Sequence, residues 1–201
     1  EHYANTQQRF TQMLSRYHSP EWIDKQLFET ESRNLKHFGY GPKGFTLSMI
    51  ETAIELTEGR VTASELMAIL NMGKEMLQVP TELLPHVADV VPALAQQFSL
   101  ILITKGDLLV QETKFAQSGL VNYFTQVEIV SDKTPDVYQG ILNRYDIDET
   151  TFMMVGNSMR SDVLPVLEIG GYGVHVPFHI TWEHEMVHDQ TPQTDRFYMR
   201  D

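Results

Sequence analysis

Three short polar loops carry the side chains that could do chemistry in this chain. Thr104, Lys105, Gly106 and Asp107 close the apolar run "SLILIT" (99–104), Asp132, Lys133 and Thr134 follow "TQVEIVS" (125–131), and Gly156, Asn157 and Ser158 close "TFMMVG" (151–156). Asp162 stands five positions beyond Asn157. A hydroxyl, an ammonium and the free N–H groups of helix starts suit a phosphoryl group. A carboxylate with an amide oxygen suits a hard cation such as Mg²⁺. Each residue has an ordinary structural reading as well. Thr104 can end a strand, Lys133 can be a solvated loop lysine, Asp162 can favour a helix dipole, and Asp107 can cap a helix. The functional reading rests on three polar loops falling on one edge of one sheet.

That edge follows from the elements around the loops. Between the apolar runs lie helical segments, "DLLVQETKFAQSG" and "TPDVYQGILNRY", the latter with Thr134 as N-cap and Pro135 in the first turn. After the third run comes "SDVLPVLEIGG", and "YGVHVPF" (172–178) reads as one more strand. Strand and helix alternating at this spacing imply a parallel sheet with helices on both faces, whose ligands bind beyond the carboxyl ends of the strands. The first part of the chain has the helical period instead. Tyr3, Phe10, Met13 and Leu14 share a face; Ser19, Pro20 and Gly39 bracket a second helix; "FTLSMIETAIELTEG" is a third; Thr62 with Glu65 forms a capping box before a fourth. The expected architecture is therefore α/β, a Rossmann-like parallel sheet preceded by a small helical bundle. The expected division is 1–82 helical and 83–201 sheet-forming.

Composition narrows the partners. The chain has 201 residues, 15 Lys and Arg against 27 Asp and Glu, for a net charge of −12. No basic cluster compensates this charge, so nucleic acid is excluded as the expected partner. A locally positive site for a small anion remains compatible with an acidic protein. Cysteine is absent, which removes disulfides, zinc-thiolate sites and thiol nucleophiles and fits a cytoplasmic setting. No apolar run has the length of a membrane span, so no membrane partner is expected.

The motifs, in their order, resemble the haloacid dehalogenase superfamily of phosphohydrolases. "ILIT" with Thr104 is similar to its second motif, Lys133 in "SDKTPDVY" to its third, and "GNSMRSD" with Asn157 and Asp162 to its fourth. The helical half resembles the cap that many members insert after their first strand. The resemblance implies that Thr104 binds the transferring phosphoryl group, with Lys105 beside it, and that Lys133 stabilises charge on that group and on the nucleophile. It implies that Asn157 and Asp162 hold Mg²⁺. The implied reaction is hydrolysis of phosphomonoesters of small metabolites through an aspartyl-phosphate. Asn157 replaces a common acidic ligand and supplies no charge; Asn also occurs in metal-free dehalogenases of the superfamily, so carbon–halogen hydrolysis is the alternative chemistry. The family's first motif, Asp-x-Asp after an apolar strand, does not occur in residues 1–201, since Asp146 and Asp148 precede a strand. The nucleophile is therefore expected upstream of residue 1, and a non-catalytic binding or scaffold domain is the other alternative.

Two further stretches invite chemistry. "HEMVH" (184–188) matches the zinc-protease pattern, but it lies just after "PFHITW" and just before "DQTPQ". It reads as a polar surface helix, with His175 in a strand and only His179 nearby as a further ligand. "FGYGPKGF" (38–45) reads as a glycine-rich turn between helices, with Tyr40 and Lys43 as candidate substrate contacts.

Overall fold

A computed structural model of the chain describes residues 2–178 and 192–199. Two compact units result, Glu1–Ser131 and Asp132–Asp201.

The first unit opens with four helices: α1 (His2–Leu14), α2 (Pro20–Phe38), α3 (Pro42–Leu56) and α4 (Ala63–Leu77). Their apolar faces meet in a core of Phe10, Leu14, Ile23, Leu27, Phe45, Met49, Ala53, Ile69 and Met76. The signals that start and stop them are satisfied as the sequence predicts. Ser19 caps α2 ahead of Pro20, and the Gly39 N–H closes it on the Leu35 carbonyl. Thr62 accepts from the Glu65 N–H at 3.3 Å while the Glu65 carboxylate accepts from the Thr62 N–H at 2.8 Å, a complete capping box. One expectation is corrected. Only residues 39–41 form the turn before α3, and Pro42, Lys43 and Gly44 already belong to its first turn. Pro at the first helical position lacks an N–H that would be orphaned there, and Gly41 supplies φ +124° just before it.

The same unit continues with α5 (Val87–Ala95), β1 (Ile101–Lys105), α6 (Leu108–Gln117) and β2 (Gln126–Val130). β1 and β2 are parallel, with Thr104 opposite Ile129 and Lys105 opposite Val130. Among the described residues β1 pairs with no other strand.

The second unit holds α7 (Pro135–Arg144), β3 (Met153–Gly156), α8 (Leu164–Glu168), β4 (Tyr172–His175) and β5 (Phe197–Met199). All pairings are parallel, in the order β3-β4-β5. Thr134 caps α7 through the Val137 N–H, as expected. β5 is not among the strands expected from the sequence. Three residues flanked by arginines carry too little period to show a strand, and its partner is remote in sequence. The motif at 184–188 and His179 lie outside the described residues. No helix among the described residues is long and apolar enough to cross a membrane.

Candidate functional site

The third polar loop is built by a turn that the sequence pattern does not reveal. Met159–Val163 forms a single π-helical turn ahead of α8. The Ser158 carbonyl accepts from both Asp162 N–H (2.8 Å) and Val163 N–H (3.3 Å), and the Ser158 hydroxyl accepts from Ser161 N–H at 3.0 Å. Turns of this kind concentrate at functional sites. This one buries Asp162, which is 4% exposed. The buried Tyr138 of α7 fixes it from outside, its hydroxyl donating to the Ser161 carbonyl at 3.0 Å.

Asp162 and Lys133 are brought together. The ammonium donates to Asp162 Oδ1 at 2.6 Å, with side chains only 11% and 6% exposed. Asp162 Oδ2 accepts the Ser158 N–H at 3.0 Å. Two desolvated charges hold only when paired and hydrogen-bonded, and here each carboxylate oxygen has its donor. Gly156 makes room for the arrangement, because a Cβ at that position would lie 2.2 Å from Asp162 Oδ2. Asn157 sits exposed in the same loop, at the carboxyl end of β3. His175, opposite Gly156 on β4, places its Nε2 3.0 Å from the Asn157 carbonyl oxygen. Among the described residues no group of three or more His, Asp or Glu side chains is placed to hold a metal. The donors on hand are one carboxylate and one amide. That set fits Mg²⁺, which commonly takes one or two carboxylates and fills its remaining positions with water and substrate oxygens.

The other candidates lie in the first unit, where two contacts join α3 and the turn before it to the end of β1 and the loop that follows. Lys43 Nζ donates to both oxygens of Asp107 at 2.9 and 3.0 Å, and Lys105 Nζ lies 4.0 Å above the ring of Tyr40. Asp107 caps α6 as expected, its side chain accepting from the Val110 N–H at 3.1 Å. The Lys43 ammonium, then that N–H, hold its carboxyl below the usual aspartate range. Gly106 has φ +144° and donates its N–H to the Val130 carbonyl, so the loop turns sharply after Lys105. Thr104 is half-buried, one residue before the end of β1.

Sequence reasoning passed over Tyr138 and the roles of Gly156 and His175. Gly156, directly before the polar pair Asn157 and Ser158 at a strand end, was the one readable signal, since glycine there marks close approach of another group.

The fold matches known structures. A haloacid dehalogenase-like family hydrolase from Xanthomonas campestris is 42% identical over 100% of this chain and 78% of its own, with a TM-score of 0.86. The chain belongs to the haloacid dehalogenase-like hydrolase family. Two more distant structures share the fold. One is a predicted phosphoglycolate phosphatase from Haemophilus somnus, 15% identical over 87% of this chain and 86% of its own, TM-score 0.55. The other is a 2-haloacid dehalogenase from Pseudomonas syringae, 17% identical over 88% of this chain and 80% of its own, TM-score 0.54. No family model and no curated protein matches the sequence.

Proposed function

We propose that this hydrolase acts on phosphomonoesters of small metabolites, with Mg²⁺, through an aspartyl-phosphate intermediate. The observation that carries the reading is the buried Lys133–Asp162 pair beside Asn157 at the carboxyl end of β3. A desolvated ammonium is a strong electrostatic stabiliser for charge that develops on a transferring phosphoryl group. In this reading Lys133 supplies that charge, and the Thr104 hydroxyl and the Lys105 ammonium bind phosphoryl oxygens. Asn157 and Asp162 would hold Mg²⁺, which would supply further neutralisation of phosphoryl charge. The cap is assigned to residues 1–82, with Tyr40 and Lys43 as substrate contacts, and the catalytic core to residues 83–201. The attacking carboxylate is assigned to an Asp-x-Asp motif outside residues 1–201. Its oxygen forms a bond to phosphorus as the ester oxygen leaves with a proton from the motif's second Asp, and water, giving a proton back to that same carboxylate, then cleaves the acyl phosphate, releasing inorganic phosphate and restoring the first carboxylate.

Carbon–halogen hydrolysis is the competing chemistry, favoured by one observation, the neutral Asn157 in the metal loop. The test measures phosphate release from p-nitrophenyl phosphate and halide release from a 2-haloacid, each with Mg²⁺ and with EDTA, on protein that includes the upstream segment. Phosphate release abolished by EDTA is expected. Lys133→Ala should lower turnover by about two orders of magnitude, equivalent to roughly 3 kcal/mol of lost stabilisation. Halide release unaffected by EDTA, without phosphate release, would overturn the reading.

A further inference from the structure

The carbonyl of Asn157 and the N–H of Ser158 belong to one peptide group, and both of its polar ends are engaged. The carbonyl oxygen lies 3.0 Å from His175 Nε2, and the N–H donates to Asp162 Oδ2 at 3.0 Å. A carbonyl only accepts, so the imidazole must carry its hydrogen on Nε2. Peptide planarity couples the two ends, so fixing the carbonyl direction fixes the N–H direction. Asp162 in turn accepts from Lys133 at 2.6 Å. A continuous line of hydrogen bonds therefore runs from His175 through the 157–158 peptide to Asp162 and Lys133.

We propose that His175 is a positioning residue for the metal loop: its Nε2–H orients the 157–158 peptide, which holds the Asp162 carboxylate in the attitude a divalent cation needs. The inference rests on the phosphohydrolase reading above and extends it to a residue outside the motif. A purely structural role accounts poorly for an imidazole here. Nδ1 of His175 is buried and has no partner among the described residues. With the hydrogen on Nε2, that leaves an unmatched lone pair, a cost an aliphatic side chain at the end of β4 would avoid. What the imidazole gains in exchange is the bond to Asn157. Outer partners that orient metal ligands in this way commonly change metal affinity 10–100-fold when removed.

The test uses three substitutions that differ in donor reach. Gln places an N–H about where Nε2 stands, Asn places it short of that point, and Leu removes it. Calorimetric titration with Mg²⁺ reads affinity directly, steady-state hydrolysis against Mg²⁺ concentration reads activation, and hydrogen exchange at the Ser158 amide reads the bond to Asp162. The expected result for His175→Leu and His175→Asn is a Mg²⁺ dissociation constant raised about tenfold. Ser158 exchange should be faster, with turnover at saturating Mg²⁺ close to that of the parent. His175→Gln should restore both affinity and protection. Asn retains polarity, so it keeps the comparison available should the Leu variant not fold. Asp162→Asn runs alongside. If it weakens Mg²⁺ binding while the Asn and Gln variants of His175 both bind as the parent does, the positioning role is overturned and the metal reading stands. If Asp162→Asn leaves Mg²⁺ binding unchanged, the metal reading falls, and this inference with it.

Discussion

The helical bundle and the loop after β3 use charge in opposite ways. In the bundle, Arg33 meets Glu51 and Glu55 at 2.9 and 3.0 Å, Arg9 meets Glu75 at 2.6 Å and Arg16 meets Glu65 at 2.6 Å. In every one of these pairs the arginine side chain is more than 40% exposed, so water screens it and competes for it. The bundle stands on its apolar core, and the pairs decorate its surface. Lys133 and Asp162 form a pair at a similar distance but almost without solvent. Neither can lose the other without stranding a charge. Similar separations therefore carry very different consequences, and burial decides which pair the chain is committed to.

Removing one member of the buried pair should show the largest effect. Asp162→Ala should destabilise the protein by about 3–5 kcal/mol in urea unfolding, because Lys133 is left charged and unpaired. Replacing both by apolar residues, Lys133→Met with Asp162→Leu, should recover most of that loss while abolishing activity. Failure of the double variant to recover would mean that burial is not what distinguishes the two regions. Next in size, Gly156→Ala drives a methyl group against Asp162 Oδ2 and should cost about 1–3 kcal/mol, with activity falling further than stability. A crystal structure of that variant with the Lys133–Asp162 contact intact would contradict the steric argument.

Glu31 is the exception within the bundle, since burial pushes its carboxyl up to about 7 from an ordinary 4.5. The folded state then holds a proton that the unfolded chain releases. Between those values the native protein binds more protons, so stability should fall as pH rises through the window and level off above it. Glu31→Gln should flatten that stretch of the stability profile, measured by denaturant titration below and above the window. An unchanged slope would place the pH dependence elsewhere. The smallest effect is expected for Arg33→Ala, whose unfolding midpoint should be nearly that of the parent at low and high salt alike.

Much of the bundle was legible because its signals are local. Ser19, Pro20 and Gly39 mark one helix, and the Thr62 and Glu65 pair marks the start of another, each within a few residues. The strands at 101–105, 126–130 and 153–156 were legible from their apolar runs, and Lys133 and Asp162 from their places at strand ends. Other features depend on partners distant in sequence. β5 exists through its pairing with β4, the role of His175 through its place opposite Gly156, and the role of Tyr138 through its bond to Ser161. The start of α3 was misplaced because three glycines around Tyr40 and Lys43 outweighed the helix-starting signal of Pro42.

The π-helical turn at Met159–Val163 also sets how the chain tolerates changes in length. In a regular helix each residue advances the direction of its side chain by about 100°. A turn of five-residue hydrogen bonds accommodates one extra residue without passing that rotation on to α8. Asp162 can therefore face Gly156 while Val163 and Val166, both fully buried, stay in phase with the sheet. Deleting one residue between Ser158 and Asp162 would return the segment to ordinary helical phase and swing the carboxylate off Lys133 by roughly a quarter turn. Single-residue insertions and deletions should thus be forbidden in this stretch, and the spacing between Asn157 and Asp162 becomes a physical requirement of the Lys133–Asp162 contact.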